Sequence, residues 1–108
     1  MVAEITVDEF QQLKQNSVDY VLLDVRLDWE HERARIEGSV LIPLQVLPQR
    51  VAELQFPKDR MLIAYCHHGR RSLAAAAFLE QAGFSNVKSM QGGIDAWSQK
   101  IDPSSPRY

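Results

Sequence analysis

The sequence lacks the features that mark membrane, secreted and nucleic-acid-binding chains. No window approaches the roughly 18 apolar residues of a membrane span. The start, Met-Val-Ala-Glu-Ile-Thr, has neither the basic residues nor the apolar run of a signal peptide. Neither sign of charge dominates: 12 Lys and Arg against 14 Asp and Glu leave −2, without the basic excess of a nucleic-acid or membrane-surface binder. There is one cysteine, which excludes an intrachain disulfide and fits a reducing compartment. These absences lead us to expect a cytoplasmic protein with no nucleic-acid and no membrane partner. Repeats, low-complexity tracts and linkers are missing too, and 108 residues suffice for one core but not for two. The expected organisation is one domain over residues 1–100 and a poorly ordered tail over 101–108, acting as a monomer because no partner-docking extension accompanies it.

What is present centres on residues 61–83. Met61 to Tyr65 is an apolar run that reads as a buried strand and ends on the lone cysteine, Cys66. A polar turn, His67-His68-Gly69-Arg70-Arg71, follows, and from Ser72 an alanine-rich segment with helical spacing runs to Gly83. Strand, tight loop and helix aim backbone N–H groups and a helix N-terminus at whatever occupies the loop. A cysteine there, beside two arginines, is expected to be acidic and therefore nucleophilic, since the thiolate is the reacting form. A free cysteine is more often a buried space-filler, but no packing role calls for so polar a run directly after a buried strand.

The remaining chain alternates between strands and helices. Glu4-Ile5 suggests a short strand, and Thr6-Val7-Asp8-Glu9 is a capping box opening a helix that ends near Asn16-Ser17. Tyr20 to Val25 reads as a central parallel strand, with Asp24 and Arg26 at the C-terminal edge where open α/β sheets bind ligands. Asp28 to Arg35 suggests a short helix, Val40 to Ile42 a strand, and Val46 to Leu54 a third helix that tolerates Pro48 in its first turn. Asn86 to Met90 is a strand, Gly92-Gly93 a turn passing near the loop, and Ile94 starts a last helix. The pattern predicts an α/β fold with a mainly parallel sheet and helices on both faces.

Three segments, in order, resemble the signatures of the rhodanese family. They are Leu22-Leu23-Asp24-Val25-Arg26 with Glu30, Ile36, Gly38 and Pro43; Tyr65 to Ser72; and Gln91-Gly92-Gly93-Ile94-Asp95-Ala96-Trp97. The resemblance implies a rhodanese-like, five-stranded mainly parallel sheet and a cysteine that carries sulfane sulfur as a persulfide. It places Cys66 as nucleophile and the amides of His67 to Ser72 around it, with Gly69 permitting the tight turn. Arg71 would hold an anionic donor, Arg70 would raise the potential at the entrance, and His67 and His68 would form the rim. The chain departs from the family's frequent Gly-His-Ile with Ala34-Arg35-Ile36, a change expected to alter local packing or surface charge rather than chemistry.

Spacing separates this loop from that of cysteine-dependent phosphatases. Those use Cys-x5-Arg, whereas Arg71 stands five positions after Cys66 and gives Cys-x4-Arg, a smaller cradle suited to one sulfur. Metal binding at Cys66-His67-His68 is not expected, because adjacent residues rarely converge on one ion and the remaining histidine is His31. Gly92-Gly93 lacks the Lys-Ser/Thr of a nucleotide loop, so no cofactor is expected. Asp24, Arg26 and Glu30 are expected to brace loops around the site by hydrogen bonds, and Trp29 and Trp97 to serve packing. The expected activity is a thiosulfate sulfurtransferase passing sulfur from a small anionic donor or a persulfide to cyanide, a thiol or a carrier protein. The alternative is a sulfur-relay, persulfide-sensing or partner-binding module without turnover. Arg71→Ala is expected to weaken thiosulfate use by roughly 2–4 kcal/mol, much more than it weakens folding.

Overall fold

The structure is a computed structural model that describes residues 2–104. Among these, the strands are β1 (Ala3–Ile5), β2 (Val21–Asp24), β3 (Val40–Leu41), β4 (Leu62–Tyr65) and β5 (Val87–Met90). The helices are α1 (Val7–Gln15), α2 (Asp28–Arg33), α3 (Leu47–Arg50), α4 (Arg70–Gln81) and α5 (Gly93–Lys100). All strand pairings are parallel, in the order β1-β5-β4-β2-β3. Central β4 is buried throughout, as a parallel strand covered on both faces must be.

Alternation along the strands divides the core. Leu23, Leu62, Ala64, Cys66 and Val87 pack with Leu47 and with Ala75, Ala76 and Leu79 of α4. Leu22, Ile63, Tyr65 and Ile5 pack with Phe10 of α1 and with Ile94 and Trp97 of α5. Side chains two apart share a face and neighbours oppose, so Tyr65 and Cys66 leave the end of β4 in opposite directions. Small side chains let α4 lie close to the sheet: of the alanines in its middle, Ala75 and Ala76 are fully buried, while Ala74 faces out.

Thr6 caps α1 as predicted, its hydroxyl accepting from the Glu9 amide at 3.0 Å while Glu9 accepts from the Thr6 amide at 2.9 Å. The third predicted helix is corrected. Residues 44–53 form one α-turn between two single turns of 3-10 helix. Pro48 supplies no amide, and Val46 and Arg50 sit near φ −100°, ψ −8°, where an α-helix does not propagate. The start of the tail is also tied down, since the Asp102 amide donates to the Trp97 carbonyl at 2.9 Å. Residues 105–108 of the predicted tail lie outside the described residues.

Candidate active site

Helix α4 begins two residues before Ser72, because Gly69 takes φ +105° as its N-cap and puts Arg70, Arg71 and Ser72 in the first turn. That left-handed residue folds the loop back over Cys66. The Gly69 amide donates to Cys66 Sγ at 3.1 Å and the Ser72 amide at 3.4 Å. Two backbone N–H groups and the start of a 12-residue helix thus converge on one sulfur, an arrangement that stabilises negative charge there.

The sulfur lies deeper than the sequence suggested. Cys66 is only 1% exposed and forms part of the core face it shares with α4. It is a floor rather than a mouth, because β4 remains buried to its last residue and the loop turns only after the cysteine. Below the sulfur is a hydroxyl pair that sequence reasoning missed. Ser72 Oγ lies 3.6 Å from Sγ, donates to the Gly69 carbonyl at 3.1 Å, and sits 2.7 Å from Ser89 Oγ. Ser72 and Ser89 are both fully buried. The available signal was a serine two positions after Val87, on the same side of the strand Val87-Lys88-Ser89-Met90.

The loop is held from the side by α5. Its first-turn amides have no partners within the helix and donate to the loop: Ile94 N–H to the Cys66 carbonyl at 2.8 Å, and Asp95 N–H to the His67 carbonyl at 3.1 Å. A Cβ on Gly93 would overlap those two carbonyl oxygens, so glycine is required by contact as well as by its positive φ. The Gly-Gly turn does pass beside the loop, as the sequence reading held.

Arg71 is engaged by a carboxylate from another element. Its guanidinium makes a bidentate pair with Glu30 of α2, at 2.7 and 2.9 Å. The Arg71 expected to hold an anionic donor is thus already bound to Glu30, a partner that the sequence reading did not give it. A planar guanidinium matches a carboxylate two bonds at a time, and Glu30, 3% exposed, needs such a partner. The same carboxylate accepts from the Leu27 amide at 3.0 Å, fixing the start of α2.

Asp24 and Arg26 form a hub on the opposite face from Cys66. Arg26 donates to Asp24 at 2.7 and 2.8 Å and also to the Ala34 carbonyl. His31 Nδ1 lies 2.8 Å from Asp24, and the Tyr65 hydroxyl donates to Asp24 at 3.1 Å. Burial pushes the Asp24 carboxyl up, but hydrogen bonds from Arg26 and His31 and the Arg26 charge outweigh it and hold it below its ordinary value. Burial, helped by the Asp24 charge, raises the Tyr65 phenol to about 12. The hub anchors the chain on both sides of Glu30, so it acts on Arg71 through α2. Arg35 lies outside this network, exposed, with Nη1 donating to the His31 carbonyl at 3.3 Å.

Of the other expected site residues, Arg70 is exposed on the first turn of α4, His67 is half-buried and His68 is exposed. Burial and the neighbouring His68 charge push the His67 imidazole below its ordinary value. The His67 and His68 rings lie with centroids 4.1 Å apart. Trp97 packs in the core, but Trp29 is 56% exposed. It lines a shallow apolar cleft of about 510 Å³ with Leu27, Pro43 and Val46, a correction with a simple cause: α2 is six residues long and the side chain it buries is that of Glu30.

Comparison with known proteins supplies the family. The profile described as "Rhodanese-like domain" matches residues 6–100. A sulfurtransferase of Allochromatium vinosum is 35% identical, over 92% of this chain and 91% of that protein. The adenylyltransferase and sulfurtransferase MOCS3-2 of Zea mays is 33% identical over 98% of this chain, which spans only 23% of it. A rhodanese-like domain protein from Staphylococcus aureus superposes with a TM-score of 0.83 at 27% identity, covering 99% of each chain.

Proposed function

The chain belongs to the rhodanese-like domain family, and we propose that it is a sulfurtransferase using thiosulfate or a persulfide as donor. The observation that carries this reading is the convergence of the Gly69 and Ser72 amides on Cys66 Sγ. Such donors favour an anionic sulfur both before and after loading, and they need no reorganisation during the reaction.

In the first step the Cys66 thiolate attacks the outer sulfur of thiosulfate. A Cys66 S–S bond forms, the donor's S–S bond breaks, and sulfite leaves with the bonding pair. The persulfide anion that remains occupies the loop, with the amides and the α4 N-terminus around its terminal sulfur. In the second step cyanide or a thiolate attacks that terminal sulfur, and the electron pair returns to Cys66. Thiocyanate or a new persulfide departs, which completes a two-step cycle. Arg70 raises positive potential at the entrance, while Arg71, held by Glu30, positions the first turn of α4. The reading places the chain in a reducing compartment such as the cytoplasm, acting as a monomer.

Relay to a protein acceptor without cyanide turnover is the second reading. It is favoured by the depth of Cys66 and by the similarity to one part of larger adenylyltransferase and sulfurtransferase chains. Intact-mass analysis after thiosulfate treatment tests both, with an expected gain of about 32 Da, one sulfur per reactive thiolate. The gain is to be lost in Cys66→Ser. Cyanide turnover then supports the enzyme and an adduct without turnover the relay, while a wild-type chain left unmodified by both thiosulfate and a persulfide donor overturns both.

A further inference from the structure

We infer that His67, His68 and Asp95 form a binding site for a divalent transition-metal ion of the zinc class, set in the rim of the Cys66 loop. One ligand atom from each residue lies within 4.8 Å of the others. His68 Nε2 and Asp95 Oδ2 are 3.6 Å apart, close to the roughly 3.3 Å that separates two ligands bound at about 2.0–2.1 Å to a tetrahedral zinc. Among the described residues it is the one group of three or more His, Cys, Asp or Glu side chains with such convergence.

The backbone prepares this geometry. The Asp95 amide holds the His67 carbonyl, and Ile94 holds that of Cys66, so α5 and the loop keep a fixed separation. Gly93 allows that approach, because any side chain there would strike the same carbonyls. Gln99 Nε2 donates to Asp95 Oδ2 at 2.9 Å and orients the carboxylate, as outer residues do around metal-binding groups. His68 is 71% exposed in its side chain and can swing inward at little cost. Two imidazoles and one carboxylate select zinc, nickel or copper over magnesium or calcium, and three protein ligands leave a fourth position for water or an incoming ligand. The thiol of Cys66 is not among the ligands, so the site is separable from sulfur loading.

Calorimetric titration of the chelator-treated full chain with zinc tests the assignment, with cobalt d–d absorption as a second readout. One equivalent is expected to bind, at least about tenfold more weakly in His68→Ala and in Asp95→Asn, and weaker by a similar factor in Gln99→Ala. Circular dichroism is to show His68→Ala folded, as its exposure implies. Cys66→Ser is expected to bind zinc like the natural chain while forming no sulfur adduct. No binding, equal binding in His68→Ala and Asp95→Asn, or loss of binding in Cys66→Ser overturns the site; the last would reveal a thiolate site instead.

Discussion

Glu30 joins two parts of the molecule, taking the Arg71 guanidinium with both oxygens and the Leu27 amide with one. Arg71→Ala would leave a nearly buried carboxylate without that partner, so a folding cost is expected beside the loss of thiosulfate use. A loss of about 1–3 kcal/mol in urea unfolding is expected, discounted for the partial exposure of Arg71. A double-mutant cycle with Glu30→Gln should recover part of it; additive losses would show that the pair contributes nothing. The buried hub sets the pH limits. The depressed Asp24 carboxyl stabilises the fold above its unfolded value of 3.8, and that stability is lost as pH falls through the lower folded value. Tyr65 has the opposite sign. Its contribution is complete below 10.0 and is lost as pH rises toward about 12. Tyr65→Phe should therefore flatten the alkaline limb of a stability profile over that window, at a cost of about 1 kcal/mol at neutral pH for the hydrogen bonds removed.

Among the elements, α4 and α5 approach Cys66 from different directions, and both begin on a glycine of positive φ. Helix α4 directs amides at the sulfur, while α5 directs amides at the carbonyls of Cys66 and His67. Gly93→Ala is expected to cost roughly 1–3 kcal/mol from overpacking, and to abolish persulfide formation by displacing the loop. Gly38→Ala, at φ +85° with open space around it, is the control: about 1–2 kcal/mol from the backbone alone, with sulfur loading intact. Equal loading in both variants would show that the α5 contact does not position the loop. The helical reading of 46–54 failed at this scale because apolar spacing persists through broken turns. Periodicity reports which side chains face inward, and Leu47 does, but not whether the backbone between them propagates.

In the whole molecule, the parallel sheet separates two packed layers, one beneath α4 and one beneath α1 and α5. The sulfur belongs to the first layer and the Asp24 hub to the second. Leu79→Ala and Phe10→Ala remove fully buried side chains from the two layers and should each cost about 2–5 kcal/mol. Because the sheet lies between them, their effects should add to within about 0.5 kcal/mol. A large coupling in thermal or urea unfolding would mean that the layers communicate through the sheet. A second expectation is that Leu79→Ala, on the Cys66 side, slows sulfur loading more than Phe10→Ala does. Intact-mass time courses under folded conditions compare the two.

The sequence by itself determined the strand and helix order, the parallel sheet, the capping box at Thr6 and the loop that carries Cys66. Each is written in local chemistry: apolar runs of strand length, a hydroxyl three residues before a glutamate, a glycine where the backbone must turn left. It also marked Gly92-Gly93 as lying close to the loop. Only the tertiary structure decided the partners. Arg71 and Glu30 stand 41 positions apart, and Ser72 and Ser89 stand 17 apart; no local pattern couples them. The convergence of His67, His68 and Asp95 likewise exists only once α5 is docked. Contacts between distant segments depend on how layers pack and on which buried charges must find one another, and one strand's spacing carries no record of that.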